Sequence, residues 1–275
     1  MNIDLVALGH ALLPLCQALL LGVVEGITEF LPVSSTGHLI LAGDWVGLQG
    51  PVAATFEIFI QLGAVLAVVW HYRARLWEVT EQAATPAGRA FLLPLFVAFL
   101  PAAVVGLLLH GWIKAHLFHP LVVATALVVG GVIILVVERI HAADRIVDAE
   151  RMPLRTALGI GLAQILSLIP GTSRSAATIL GGYLLGCSRR AATEFSFLLA
   201  IPVLGAATLF DLYKSRALLA GSDFMMFGVG TLVAFVTALA VIRGFLRYVS
   251  GHDFRPFAWY RIAFGLVVGL YYWAR

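Results

Sequence analysis

The chain is poor in charged residues. Only 12% of its 275 residues are Asp, Glu, Lys or Arg, whereas 61% are hydrophobic and the mean hydropathy is +0.96. Soluble domains average about 25% charged residues, so this composition excludes an ordinary soluble protein and a disordered chain. It predicts an all-α polytopic membrane protein. The formal net charge of +3 is too small for a nucleic-acid-binding surface, and we expect no nucleic-acid partner.

Cysteine is also scarce. Cys16 and Cys187 stand alone, without the spacing of a zinc site or a redox pair. This excludes a disulfide scaffold, and both residues are predicted to be small apolar fillers. No positively charged segment precedes the first apolar run, Leu5 to Val24. We therefore expect this run to belong to the fold and not to a cleavable signal peptide.

Long apolar stretches are abundant. A membrane-spanning helix needs about 20 mostly apolar residues. Six stretches satisfy this, two of them despite an internal Glu194 or Arg261, and they are 53–71, 90–110, 119–138, 190–210, 225–247 and 256–274. Two further apolar regions, 11–48 and 154–187, are each interrupted near the middle by a polar, proline-containing stretch. Because irregular backbone cannot face lipid, we predict that each is a re-entrant helix–break–helix hairpin.

The basic residues predict an orientation. If the first hairpin enters from outside, most of the 18 Lys and Arg residues fall in four cytoplasmic loops, which are 72–89, 139–155, 186–190 and 243–255. This arrangement satisfies the positive-inside rule, and the opposite orientation would violate it. Both termini are then predicted to be extracytoplasmic.

The sequence contains an internal repeat. Pro32-Val33-Ser34-Ser35 aligns with Pro170-Gly171-Thr172-Ser173 at an offset of 138 residues, and the same offset aligns Gly43 with Gly181 and Thr55 with Thr193. We predict two repeats, 1–145 and 146–275, each with one hairpin followed by three spans. Because three is odd, the second repeat should be inverted relative to the first.

The first break has several groups that carry chemistry. Glu25 and Glu29 share one helix face, where two buried carboxylates are costly unless they bind a divalent cation, act as a base or pair with a distant arginine. Ser34, Ser35 and Thr36 follow a proline and can cap the second half-helix. His38 comes three residues after Ser35. Its ring is expected to reach that hydroxyl as a base, an acid or a nucleophile, unless it is structural.

The second break has the pattern of an anion site. Gly171 allows close approach of the backbone to a ligand. Arg174 opens a half-helix, whose free N–H groups suit phosphate; alternatively, Arg174 pairs with Glu25 or Glu29. The residues expected to hold phosphate are Ser34, Thr36, Gly171, Thr172, Ser173, Arg174, Ser175 and Thr178. The residues alone predict a membrane anion site suited to phosphoryl transfer.

Two segments, Glu25–His38 and Pro170–Thr178, closely resemble the two signature motifs of the undecaprenyl-diphosphate phosphatase family, the bacitracin-resistance proteins of the bacterial inner membrane. Segments Phe56–Ala64 and Glu194–Pro202 also look like parts of this family. The resemblance covers nearly the whole chain. It implies six spans with two re-entrant hairpins from inverted repeats. It also implies hydrolysis of undecaprenyl diphosphate to undecaprenyl phosphate for peptidoglycan synthesis, a site open to the periplasm, and dependence on Mg²⁺ or Ca²⁺.

The resemblance also suggests roles for individual residues. The family's motif residues fall on Glu25, Glu29, Ser34, Ser35, Thr36, His38, Ser173 and Arg174. Arg174 would hold the diphosphate, while Glu25 and Glu29 would bind the metal or position water. Ser35 or water would attack the terminal phosphorus with His38 assisting proton transfer, and a direct His38 phosphoenzyme is an alternative.

Two questions remain open at this point. Inverted repeats and broken helices are also typical of transporters, so a transporter or flippase for polyprenyl phosphates is the alternative function. The small-residue pairs Gly130-Gly131 and Gly181-Gly182 allow close helix packing within one chain or between two chains, so a homodimer is an option.

Overall fold

The computed structural model describes residues 5–48, 50–140, 144–215 and 224–274, and for 5–11, 51, 114 and 215 it describes the backbone only. These residues form eleven α-helices and two short 3-10 turns. The described ranges contain no β-strand, only an isolated bridge between Ile146 and Cys187. The predicted all-α fold class is confirmed.

The first half of the chain begins with a broken helix pair. Helices α1 (Leu5–Thr28) and α2 (Ser35–Val46) are separated by the break at 29–34, as predicted for the first hairpin. They are followed by α3 (Gly50–His71), α4 (Arg73–Glu81), α5 (Pro86–His116) and α6 (Pro120–Ile140). Thr85 caps α5, because its hydroxyl accepts a hydrogen bond from the Gly88 N–H at 3.2 Å. The short charged helix α4 lies within the stretch 72–89 that was predicted to be a loop.

The second half repeats this order without a counterpart of α4. Helix α7 (Leu154–Gln164) continues into a 3-10 turn (Ile165–Leu168) and is separated from α8 (Arg174–Leu184) by the break at 169–173. The remaining helices are α9 (Arg189–Ser215), α10 (Phe224–Val249) and α11 (Arg255–Trp273). Packing partners also correspond between the halves: α1 lies on α10 as α7 lies on α5, and α3 packs on α9 and α6 on α11. The boundary near residue 145 and the inverted orientation stay predictions.

Five helices in the described part of the chain are long and apolar enough to cross a membrane, namely Val52–His71, Pro86–Ile113, Pro120–Ile140, Arg189–Lys214 and Phe224–Val249. They correspond to five of the six predicted spans. The sixth stretch, 256–274, forms α11 but is not in this set. Its 19 residues include Arg255, Arg261 and several Tyr and Trp residues, which lower its apolar character. By length and composition, the described residues therefore provide five of the six predicted spans.

Two serines hold the same unusual backbone conformation at the two breaks. Ser34 before α2 has φ 71° and Ser173 before α8 has φ 74°, and no other non-glycine residue in the described ranges has positive φ. These two positions are 139 residues apart, so the predicted alignment at 138 is wrong by one residue at the helix caps. The second break contains one more residue between its proline and its cap, and Gly171 accommodates it with φ 93°.

Arg261 connects the two breaks. Its side chain is 0% exposed, and Nη1 donates to the carbonyl oxygens of Pro32 at 3.1 Å and Thr172 at 2.9 Å. Nη2 donates to the Gly171 carbonyl at 3.0 Å, and two further bonds reach carbonyls of α6. A broken helix leaves such carbonyls without intrahelical partners, which is expensive inside a membrane. One guanidinium therefore satisfies both breaks and holds them together.

The small-residue pairs are used within the chain. A Cβ at Gly130 would overlap the Arg261 guanidinium, and one at Gly131 would lie 2.7 Å from the Ala258 carbonyl oxygen. A Cβ at Gly181 would lie 2.7 Å from the Ala163 Cβ. These glycines bring α6 against α11 and α8 against α7, so their presence is explained without a second chain.

The cysteines differ from each other. Cys187 is fully buried, as expected of a small filler, and burial raises the pKa of its thiol to about 12, which leaves it unreactive. Cys16 lies on the exposed face of α1. The prediction of a small apolar filler therefore fits Cys187, whereas Cys16 fills no space in the interior.

Gly130→Ala is expected to lower the thermal unfolding temperature of the protein in detergent. The added methyl group displaces the Arg261 guanidinium from the carbonyls of both breaks, and overpacking of this kind costs about 1–3 kcal/mol. Intrinsic tryptophan fluorescence during heating measures the change. The control is Gly244→Ala in α10, where nothing lies within 4 Å of an added Cβ, so that variant should match or exceed the parent. Equal unfolding temperatures for both variants would contradict the conclusion that Arg261 holds the two breaks together.

Candidate functional site

The centre of the site is a carboxylate shared between the two hairpins. Glu29 follows α1 directly, and its Oε1 accepts a hydrogen bond from Arg174 Nη2 at 2.9 Å. Its Oε2 accepts one from the Ser35 hydroxyl at 2.6 Å. The side chains of Arg174 and Glu29 are 8% and 5% exposed. Arg174 therefore forms a buried ion pair with Glu29, which was one of the two carboxylates expected as its partner.

Arg174 is oriented by a third element. Its Nη1 donates to the carbonyl of Ser196 in α9 at 3.0 Å and contacts the Ser196 hydroxyl at 3.3 Å. The Ser196 hydroxyl lies 2.6 Å from that of Thr178, and the Phe30 ring lies 5.7 Å from the guanidinium carbon. Nε of Arg174 is buried and has no hydrogen-bond partner in the described part of the chain. A buried donor without an acceptor is rare, and an anion bound beside Arg174 would supply one.

The other predicted phosphate ligands of the second break make internal bonds. Ser173 caps α8, since its hydroxyl accepts from the Ala176 N–H at 3.2 Å. The Ser175 hydroxyl donates to the Leu31 carbonyl at 2.7 Å, which joins the second hairpin to the first. Thr178 donates back to the Arg174 carbonyl at 2.9 Å. Gly171 and Thr172 contribute their carbonyls to Arg261. These contacts hold the second break and its half-helix in place. Phosphate binding by these residues stays a prediction.

The three hydroxyl residues of the first break have different environments. Ser34 is buried, and its side chain makes no capping bond to α2. Ser35, the first residue of α2, is half-buried and donates to Glu29. Thr36 is half-buried in the first turn. Ser35 is thus the hydroxyl that combines access with a carboxylate able to accept its proton.

His38 lies elsewhere than expected. Its Nδ1 is 2.7 Å from the Ser34 carbonyl oxygen and its Nε2 is 2.6 Å from the Tyr260 hydroxyl. The ring stacks on Phe264 at 4.1 Å between centroids. The expected reach to the Ser35 hydroxyl is not among its hydrogen bonds. Because α2 begins at Ser35, His38 lies in the first helical turn, where its ring meets the carbonyl four residues earlier and the side of α11.

Glu25 is the residue best placed to bind a cation. It is 1% exposed, and neither carboxylate oxygen has a hydrogen-bond partner within the described ranges. The charges of Glu29, Glu57 and Arg174 act on it. An uncompensated buried carboxylate is costly, and Mg²⁺ or Ca²⁺ would compensate it with oxygen coordination. The described residues contain no cluster of three or more His, Cys, Asp or Glu. A cation here would therefore depend on one or two carboxylates plus ligand and water oxygens, as is usual for Mg²⁺.

Comparison with known proteins assigns the chain to a family. The family described as bacitracin resistance protein BacA matches residues 18–267. The chain belongs to this family. A protein of Nitrosomonas eutropha named undecaprenyl-diphosphatase is 58% identical over 254 residues, which is 92% of this chain and 93% of its own length. One of Methylobacillus flagellatus with the same name is 52% identical over 267 residues, 95% of this chain and 99% of its own length. The resemblance derived from the motifs is confirmed.

Sequence reasoning missed several residues of this BacA-family site. Ser196 hydrogen-bonds Arg174 and Tyr260 hydrogen-bonds His38, and Arg261 was noted only as a charge inside a span. Ser196 and Glu57 fall in the two additional segments that the resemblance singled out, which was the available signal. Tyr260 lies outside every motif, so local sequence gave no indication of its partner.

Removing either partner of the Arg174–Glu29 pair is expected to destabilise this BacA-family protein strongly. Glu29→Gln and Arg174→Met each leave a buried group uncompensated, which costs about 3–5 kcal/mol. The double variant should lose less than the sum, because it removes both charges. Unfolding in detergent, followed by tryptophan fluorescence, measures all three.

The matched control is Glu194→Gln, which breaks an ion pair with Arg190, a side chain that is 63% exposed. That pair should contribute at most about 1 kcal/mol. Additive losses in the Glu29 and Arg174 double variant would mean that the two side chains do not interact.

Proposed function

We propose that the chain hydrolyses undecaprenyl diphosphate to undecaprenyl phosphate and inorganic phosphate. The relatives that carry the name undecaprenyl-diphosphatase are 52–58% identical over 92–95% of the chain. The observation that carries the proposal is the arrangement of Ser35, Glu29 and Arg174. It places a hydroxyl, a proton acceptor and a cation with an unfilled donor side by side between two apolar hairpins. The product would be recycled for peptidoglycan synthesis, and this would confer bacitracin resistance.

Arg174 would bind the terminal phosphate. Its planar guanidinium has five N–H donors. The Nη1 and Nη2 groups have protein acceptors, whereas the Nε–H has none among the residues that the structure describes. Phosphoryl transfer through a metaphosphate-like transition state depends mainly on charge stabilisation and positioning. Glu29 and Ser196 hold the guanidinium in one orientation, so little reorganisation is needed when charge develops on the phosphoryl oxygens.

Glu29 would act as the proton acceptor. In the serine route, Ser35 Oγ attacks the terminal phosphorus as its proton passes to Glu29, and the bridging P–O bond breaks to release undecaprenyl phosphate. Water then hydrolyses the phosphoserine. The 2.6 Å contact between the Ser35 hydroxyl and Glu29 supports this route. Water positioned on Glu29 is the alternative nucleophile. His38 would assist proton transfer, as the family resemblance implies. A direct His38 phosphoenzyme has less support, because Nδ1 bonds to the Ser34 carbonyl and Nε2 to the Tyr260 hydroxyl, so that neither nitrogen is free to attack phosphorus.

A divalent cation, Mg²⁺ or Ca²⁺, is part of the proposal. Glu25 would hold it through its unpartnered carboxylate, with Glu29 as the neighbouring carboxylate. When bound, the cation would neutralise part of the diphosphate charge.

The setting in the cell is also proposed. The chain is a multi-pass membrane protein by its five long apolar helices. We place it in the bacterial inner membrane with both termini and the site on the periplasmic side, on the support of the basic residues in the opposite loops. A homodimer is not part of the proposal.

The protein purified in detergent is expected to release inorganic phosphate from C15 or C55 polyprenyl diphosphate. Arg174→Ala should lower kcat/KM at least about 100-fold, because it removes the cation proposed to stabilise the developing charge. Arg190→Ala is the control, since that arginine pairs with Glu194 near the surface. Colorimetric phosphate measurement follows both variants.

Two outcomes of this assay would redirect the proposal. Because detergent leaves no two compartments, saturable lipid binding without phosphate release by folded protein would favour the transporter alternative. Loss of nearly all turnover in Ser35→Ala favours the serine route, whereas substantial turnover in that variant favours water as the nucleophile.

Glu25→Gln is expected to weaken binding of Mn²⁺, used as a probe for Mg²⁺, at least about tenfold. The neutral amide no longer compensates the cation in the buried site. Electron paramagnetic resonance of free Mn²⁺ measures binding to the purified protein without any substrate turnover. Glu194→Gln should bind as the parent does. Unchanged binding in Glu25→Gln would remove Glu25 from the proposed cation site.

A further inference from the structure

The two nitrogens of His38 have partners of different kinds. A carbonyl oxygen only accepts hydrogen bonds, so Nδ1 at 2.7 Å from the Ser34 carbonyl must carry a hydrogen. In the neutral ring Nε2 is then the acceptor, and the Tyr260 hydroxyl donates to it at 2.6 Å. Ser34 and Tyr260 together select one tautomer of the imidazole.

Helix α11 clamps the ring of His38. Tyr260 and Phe264 lie one turn apart on this helix. The Phe264 ring stacks on the imidazole at 4.1 Å with an interplanar angle of 8°, and the Tyr260 ring is nearly parallel to it at 4°. The neighbouring Arg261 fixes α11 to the backbone of both breaks. The position of Tyr260 is therefore set by the same contacts that assemble the site.

A tyrosine suits a histidine that changes its protonation state. The phenol can both donate and accept a hydrogen bond. It donates to Nε2 while the imidazole is neutral, and it can accept from Nε2–H after the ring takes up a proton. The hydrogen bond therefore persists in both states, which a residue with only donors or only acceptors could not achieve.

We propose that Tyr260 is a positioning residue for His38, which it holds in the Nδ1–H form with Nε2 as the basic nitrogen that exchanges protons. The proposal rests on the proposed function only in that His38 assists proton transfer during phosphate release. It assigns a role to a residue outside both signature motifs. It also names Nε2 as the nitrogen through which His38 acts.

The test is Tyr260→Phe, which keeps the ring that lies against His38 and removes only the hydroxyl. Phosphate release from C15 polyprenyl diphosphate should show kcat lowered about tenfold with KM within about twofold, because a proton-transfer partner is mispositioned while substrate binding is kept. The matched control is Tyr271→Phe, which removes a hydroxyl bonded to Asp44 at 2.8 Å further along α11. That control should retain the kinetics of the parent.

A double-variant cycle separates positioning from general destabilisation. In a His38→Ala background, Tyr260→Phe should cause no further loss of kcat, since the residue acts through His38. A full tenfold loss in that background would overturn the proposal.

A spectroscopic measurement tests the hydrogen bond independently of turnover. In protein with ¹⁵N-labelled histidine, the parent should show His38 in the Nδ1–H form, and Tyr260→Phe should move the Nε2 resonance towards the value of a nitrogen without a donor. An unchanged Nε2 resonance would overturn the proposal. If the parent releases no phosphate at all, the proposed function fails, and the resonance still decides whether Tyr260 positions His38.

Discussion

The structure depends on one buried guanidinium. Breaking a helix inside a membrane exposes carbonyl groups that lipid cannot satisfy, and this fold breaks two helices at the same place. Arg261 donates to Pro32 in one break and to Gly171 and Thr172 in the other. The positive charge is itself costly to bury, and its five carbonyl contacts offset that cost. Gly130 leaves the space that the guanidinium occupies. The two breaks therefore share one hydrogen-bond donor group, and displacing it would leave carbonyls of both without that partner.

The reacting groups follow from this junction. Once the tips are joined, the residue after α1 and the first residue of α8 meet, so Glu29 and Arg174 form a buried pair from segments 145 residues apart. In each hairpin, a serine with positive φ comes directly before the second half-helix. The halves have nevertheless diverged. At the offset of these serines, Ser35 corresponds to Arg174, so one tip supplies the hydroxyl and the other the cation.

Each hairpin also buries a polar side chain near the end of its first helix. Glu25 in α1 and Gln164 in α7 are both buried without hydrogen-bond partners in the described part of the chain. The carboxylate lies beside the ion pair and suits a cation, whereas the amide carries no charge. A buried charge in only one half is consistent with a single site built from two similar hairpins.

The sequence alone determined the helical membrane class, the two hairpins and the motif residues, because apolar length and proline-containing breaks are local properties. The sequence also predicted that Arg174 could pair with one of two carboxylates, Glu25 or Glu29. Only the tertiary structure decided that Arg174 pairs with Glu29 and not Glu25, that His38 turns to Tyr260 and away from Ser35, and that Arg261 joins the breaks. Each of these contacts joins segments far apart in the chain. Such contacts depend on how helices pack, which no local pattern encodes.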